Sequence, residues 1–163
     1  MMNIKIICVG RIKESYFIDS IKEYVKRLSK FCKLEIMQVM DQKLPNSLTT
    51  GSILTVKDKE GHHILDKLEH IKGNKFVICL DEKGTEYTSE KLANHIDIIA
   101  TSGSSTIVFI IGGTLGLSEI VKVKADELLS FSKLTFPHQM VRLFLTEQLF
   151  RAFKILGGEN YHH

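Results

Sequence analysis

Cysteine is scarce and badly placed for a structural role in this 163-residue chain. Cys8, Cys32 and Cys79 are odd in number and scattered, and none belongs to a C-x-x-C pair. That excludes a disulfide frame or a cysteine zinc site and predicts buried thiols in a reducing, cytoplasmic compartment. Long apolar runs are missing too. No stretch approaches the roughly 20 residues of a membrane span, and the N-terminal run from Met1 to Gly10 is too short for a signal sequence. The seven histidines include no H-x-x-x-H or H-E-x-x-H, so no metal is expected. No serine lies in G-x-S-x-G, which removes the usual nucleophile elbow. G-x-G-x-x-G and G-x-x-x-x-G-K-[ST] are both absent, so neither a dinucleotide fingerprint nor a P-loop is indicated. Internal repeats, low-complexity segments and domain boundaries are absent as well. Charge excess is small, +3, which permits a polyanionic partner without demanding one.

What is present is alternation. Ile4–Val9 is β-rich and stops at Gly10. Phe17, Ile18, Ile21, Tyr24, Val25 and Leu28 fall at helical spacing between about 14 and 30. Leu34–Val39 reads as a second strand, and 41–51, with Pro45, as a loop. A charged helix over 53–71 follows, in which the run Lys57-Asp58-Lys59-Glu60 reads as a solvated face and His62-His63 as solvated histidines. Lys75–Asp81 is a buried strand. Thr88 or Ser89 caps a helix to about Ala100. Thr106–Ile111 is the most apolar strand and ends in Gly112-Gly113. A short helix begins near Ser118, a last strand covers 128–131, and a very apolar helix runs from His138 to Leu156. Strands alternating with helices predict a single α/β domain over 1–163, with a mostly parallel sheet covered on both faces.

In such sheets ligands sit outside the carboxyl ends of the strands. That rule selects three turns: 80–84, 112–117 and 131–136. Gly112, Gly113 and Gly116 allow backbone to approach a ligand closely; they equally suit a tight strand-to-helix turn. Phe131 to Phe136 offers hydroxyls, a lysine and two aromatics, the mix of an adenosine-sized slot, or of a wide turn with core-facing rings. Glu147 and Arg151 stand i, i+4, the spacing of an ion pair. Arg142 and Arg151 interrupt an otherwise apolar helix. If that helix lies at a subunit interface, its arginines face a shared groove and contact phosphate.

Four separated segments, in order, carry a resemblance that spans essentially the whole chain. They are Phe109-Ile-Ile-Gly-Gly-x-x-Gly-Leu117, Leu129-Ser-Phe-Ser-Lys-Leu-Thr-Phe-Pro-His-Gln139, Glu147-Gln-x-x-Arg-Ala-Phe-Lys-Ile155 and Tyr161-His162. Together they resemble the RlmH family, small SPOUT-class methyltransferases that modify a pseudouridine of 23S ribosomal RNA. The resemblance implies a C-terminal trefoil knot, a homodimer and S-adenosylmethionine as methyl donor. It places cofactor contacts on Leu80, Gly112, Phe131, Ser132, Lys133, Leu134, Thr135 and Phe136. The tail, with Tyr161 and His162, is expected to complete an RNA-facing site across the dimer; His138, Arg142 and Arg151 are further candidates for substrate contact. Thr114-Leu115 and the terminal His162-His163 depart from the family's more polar and more basic pattern.

The implied reaction is in-line methyl transfer to N3 of a pseudouridine, on the large subunit or whole ribosome rather than a short RNA. A small, weakly basic dimer has little surface for phosphate. No general base, and hence no catalytic residue, is identifiable from the residues alone. A non-catalytic RNA- or ribosome-binding dimer of the same fold is the alternative.

Overall fold

In the computed structural model, described here for residues 1–161, five strands form one sheet in the order β2-β1-β4-β3-β5. They are β1 (Met2–Val9), β2 (Cys32–Val39), β3 (Lys75–Glu86), β4 (Thr106–Ile111) and β5 (Glu127–Ser130). Every neighbouring pair is parallel. Between and after them come α1 (Ser15–Leu28), α2 (Thr50–His70), α3 (Ser89–Thr101), α4 (Glu119–Lys122) and α5 (His138–Leu156).

The pleat sorts the strand residues onto two faces. Ile4, Ile6 and Cys8 of β1, with Ile107, Phe109 and Ile111 of β4, pack with Leu28, Leu92, Ile96, Leu145 and Leu149 of α1, α3 and α5. Ile7, Val9, Val108 and Ile110 face the other way, against Ile64, Leu68 and Val121 of α2 and α4. All of β4 is buried, which is why its sequence shows no polar alternation. Connections through α1 and α3 both move toward the β2 edge; those through α2 and α4 both move toward β5. The four crossovers therefore share one hand, as parallel connections in one sheet do.

The three thiols are buried and unpaired. Burial pushes Cys8 and Cys32 up to about 11 and Cys79 up to about 12, so none is a ready nucleophile. No helix among the described residues is long and apolar enough to cross a membrane.

Two details depart from the sequence expectation. β3 does not stop at Asp81. Leu80 and Thr85 both pair with Leu129, so 81–84 leaves the ladder as a bulge before the strand resumes. The run 57–60 is not a solvated face throughout. Glu60 is only 4% exposed because it shares the inward stripe of α2 with Val56, Ile64 and Leu68. Asp58 accepts a hydrogen bond from the Ser118 hydroxyl that caps α4. The cap of α3 is Thr88, whose hydroxyl accepts from the Lys91 N–H at 3.2 Å.

Candidate active site

The three turns chosen by the strand-end rule leave adjacent strands of the sheet. Leu80 stands opposite Leu129, and Cys79 opposite Ile110, so the ends of β4, β3 and β5 lie side by side. Two of the turns are held by close backbone packing. A Cβ at Gly112 would fall 2.8 Å from the carbonyl carbon of Gly116. One at Gly84 would fall 2.6 Å from the carbonyl carbon and oxygen of Leu128. Neither position admits a larger residue without backbone movement.

The eight residues expected at the cofactor are thereby collected at one edge, in different settings. Leu80 and Phe131 are half-buried and pack on the core. The Ser132 hydroxyl accepts from the Leu134 N–H at 3.0 Å, and the Ser132 carbonyl accepts from the Ser130 hydroxyl at 2.9 Å. These two bonds wind the turn so that Lys133, Leu134 and Thr135 face outward. Leu134 is 70% exposed. Phe136 stands edge-on to Phe144, ring centres 5.4 Å apart. Beside this turn a cavity of about 330 Å³ is lined by Tyr87, Leu129, Phe131, Phe136, Phe144 and Glu147, among others.

Tyr87 belongs to a small network that the sequence reading did not identify. Its hydroxyl donates to Glu127 at 2.5 Å, and His95 Nε2 lies 2.5 Å from the other Glu127 oxygen. The bond to Glu127 pushes the Tyr87 phenol up to about 12. The network ties α3 to β5 and fixes one wall of the cavity. Nothing in the spacing of residues 87, 95 and 127 signals it, since they meet only through the sheet register.

A second cavity, about 220 Å³, opens at the ends of β2, β1 and β4. Its walls include Asp41, Gln42, Glu60, Gly113, Leu115 and His138. It shares the glycine turn with the first group of loops. One Glu60 oxygen accepts from the Gln42 N–H at 3.0 Å; the other is buried without a partner. Burial raises the Glu60 carboxyl above the usual carboxylate range, and the Asp41 charge adds to this against the Gln42 bond. His138 Nδ1 is also buried and unpartnered. Burial, with the Arg142 charge next, lowers the His138 imidazole below its usual range.

The substrate candidates fall into two separated sets. His138 and Arg142 sit at the start of α5 beside Gly10. Arg142 is 1% exposed and donates to the carbonyls of Gly10 and Val9 at 3.2 and 3.4 Å. A guanidinium seated this way holds the end of β1 and does not present itself to phosphate. Arg151 and Tyr161 lie at the other end, about 20 Å along the helix from His138 at the ordinary rise. Arg151 donates to Glu147 Oε1 from Nε at 3.0 Å and from Nη2 at 2.5 Å. It also lies 5.0 Å from the centre of the Tyr161 ring, which in turn stands edge-on to Phe150 at 4.9 Å. The tail is thus folded onto its own helix as far as Tyr161. His162 lies outside the described residues. No group of three or more histidines, cysteines or carboxylates among the described residues could hold a metal ion.

A parallel sheet carries a glycine turn after β4 and a polar turn after β5 at one edge. The chain matches, over residues 2–162, the family described as "Predicted SPOUT methyltransferase", and it belongs to that family of methyltransferases. Within it, the chain is 53% identical over 161 residues to the ribosomal RNA large subunit methyltransferase H of Clostridium botulinum (strain Langeland), with 99% of each chain covered. It is equally similar, 53% over 161 residues and 99% of each chain, to the enzyme of that name in Latilactobacillus sakei. Solved structures share the fold at low identity. A probable methylase family protein from Haemophilus influenzae superposes with a TM-score of 0.56 at 15% identity, over 99% of this chain and 71% of that one. A probable methyltransferase from Bordetella pertussis superposes at 0.52 and 10%, over 93% and 96%.

Proposed function

We propose that this methyltransferase acts as a homodimer on N3 of a pseudouridine in 23S ribosomal RNA, with S-adenosylmethionine as donor and the large subunit or ribosome as substrate. The observation that carries this is the end-to-end likeness to enzymes named for large-subunit ribosomal RNA methylation, joined to the three adjacent turns at the sheet edge.

The residues of those turns fit the donor. Leu134, 70% exposed in the free chain, gives an apolar face for an adenine to cover, with Leu80 and Phe131 behind it. Ser132 and Thr135 supply hydroxyls, and Lys133 a cation for a carboxylate. Gly112 keeps the opposite wall thin enough for close backbone approach. The donor supplies an electrophilic methyl on a sulfonium, which requires no metal. The chain's own task is to align the imide nitrogen with that methyl and to favour loss of the imide proton. Alignment alone contributes several kcal/mol, up to about 7–11 in well-oriented systems. Donors near the ring oxygens stabilise the charge left on the ring.

The split of the substrate candidates supports the dimer. His138 and Tyr161 stand at opposite ends of α5, too far apart to touch one base, so a composite site takes one from each of two copies. Tyr16, Met140 and Phe144, exposed at 65%, 37% and 38%, supply apolar surface on α1 and α5 for the contact. The knot is carried by membership of the family.

The test joins calorimetry with S-adenosylmethionine to mass spectrometry of ribosomal RNA from a strain lacking the protein. Binding, and loss of one methyl from a pseudouridine, are expected. Binding without any change in the RNA would favour a non-catalytic ribosome-binding dimer. Removal of residues 161–163 should abolish methylation of ribosomes while leaving donor binding intact; unchanged methylation would remove the tail from the site.

A further inference from the structure

We propose that the cavity at the ends of β2, β1 and β4 receives the target pseudouridine ring, and that Glu60 accepts a hydrogen bond from the ring N1–H. The inference rests on the pseudouridine reading above and assigns a residue to it.

The cavity is built for one small polar ring. Its volume, about 220 Å³, is below the ~300 Å³ at which ordinary small-molecule pockets begin. The glycine turn forms one wall and is itself one of the three turns assigned to the donor, so a ring held here would adjoin a donor bound there. Glu60 is 4% exposed, and its two oxygens are treated differently. Oε2 is fixed by the Gln42 N–H at 3.0 Å; Oε1 has no partner. Gly113 permits this arrangement, because a Cβ there would fall 2.8 Å from Oε1. A buried acceptor left open is costly, about 1–3 kcal/mol, and such groups call for an explanation. A ligand N–H supplies one. His138 also lines this cavity, and its Nδ1, buried without a partner, donates to a ring carbonyl when it carries the proton. An acceptor and a donor together match the alternating N–H and C=O edge of a pyrimidine imide.

The chemistry of the target singles out N1. In pseudouridine the sugar is attached through carbon, so N1 carries a hydrogen. In uridine N1 carries the sugar and no hydrogen. With N3 turned to the methyl donor, N1–H is the remaining ring donor, and a fixed carboxylate oxygen reads it. A site that hydrogen-bonds a substrate N–H strongly rejects the analogue lacking it, because the buried partner is left open.

The experiment compares the native protein with Glu60→Gln on large subunits or ribosomes carrying either pseudouridine or uridine at the target. Since the Gln42 N–H holds the carbonyl of the replacement amide, its NH2 group faces the ring N–H. The expected result is a fall in kcat/KM of about a hundredfold or more on pseudouridine, with little change on uridine and donor binding retained by calorimetry. An unchanged ratio between the two substrates, or an equal fall on both, would overturn the assignment. A measurement on the native protein needs no variant: free pseudouridine should inhibit more strongly than N1-methylpseudouridine, and equal inhibition would again overturn it. If native protein methylates neither ribosome, the proposed function falls first and this inference with it. If it methylates pseudouridine normally and only the discrimination fails to depend on Glu60, this inference alone falls.

Discussion

The carboxyl edge of the sheet has two halves built on opposite plans. At β4, β3 and β5 two of the turns are pressed backbone to backbone, at Gly84 and Gly112, and the outward side chains are in water. At β2, β1 and β4 the space is bounded by buried polar groups. Among the described residues, the buried side-chain atoms without partners are Glu14 Oε2, Glu60 Oε1, His138 Nδ1 and Arg142 Nε. Glu60 and His138 line the second cavity; Arg142 and Glu14 act on His138 electrostatically. One half is shaped by what cannot fit and the other by what is left unsatisfied. The first suits a ligand gripped by shape and backbone; the second suits one recognised by hydrogen bonds.

The largest effect should come from breaking the first plan. Gly84→Ala puts a methyl group 2.6 Å from the Leu128 carbonyl, with no flexible side chain to yield. Overpacking of this kind costs about 3 kcal/mol. Chemical denaturation should show that loss, and calorimetry should show donor binding abolished, because the bulge and the turn after β5 separate together. Normal stability would mean that the edge is softer than its packing indicates.

Next comes Arg142, which bridges to the second half. Arg142→Ala leaves the carbonyls of Val9 and Gly10 without their donor and opens a cavity, and should cost about 2–3 kcal/mol. Arg142→Met, which keeps volume, should cost less. If either variant binds ribosomes with a weaker salt dependence but keeps native stability, Arg142 is a phosphate contact after all.

The two halves also differed in how far the sequence revealed them. The alternation of strands and helices, the buried β4 and the three turns were all visible, because period and glycine placement are local signals. The resemblance added identities to the same turns. Arg142 read as an interface cation because its apolar neighbours on α5 do not say which carbonyls cross beneath it; Val9 and Gly10 are more than a hundred residues away. Glu60 was hidden for another reason. The run Lys57-Asp58-Lys59-Glu60 has the composition of a solvated face, yet the four-residue spacing of Val56, Glu60, Ile64 and Leu68 was the better guide. The bulge 81–84 left no signal beyond Gly84, since it is defined by the partner strand.

Glu60 gives a pH-dependent test of the second plan. Its carboxyl is raised in the folded protein, chiefly by burial. Between its unfolded value, 4.5, and the higher folded one, the unfolded chain binds fewer protons than the native chain. Stability therefore falls as pH rises through that window. Glu60→Gln carries no such penalty. In a denaturation series the variant should gain on the native protein from about pH 4.5 upward and keep the gain at neutral pH. A difference independent of pH would mean that Glu60 is already satisfied, leaving nothing for a ligand to do.

The smallest effect on the fold, and the sharpest on the comparison, belongs to Leu134. It is 70% exposed, so Leu134→Ser should leave stability within about 0.5 kcal/mol. Covering a leucine with ligand is worth about 1.5–3 kcal/mol, so donor affinity should fall tenfold or more by calorimetry. Discrimination between pseudouridine and uridine should be untouched, because the second cavity does not include this residue. If Leu134→Ser instead alters the substrate ratio and spares the donor, the assignment of the two halves is reversed.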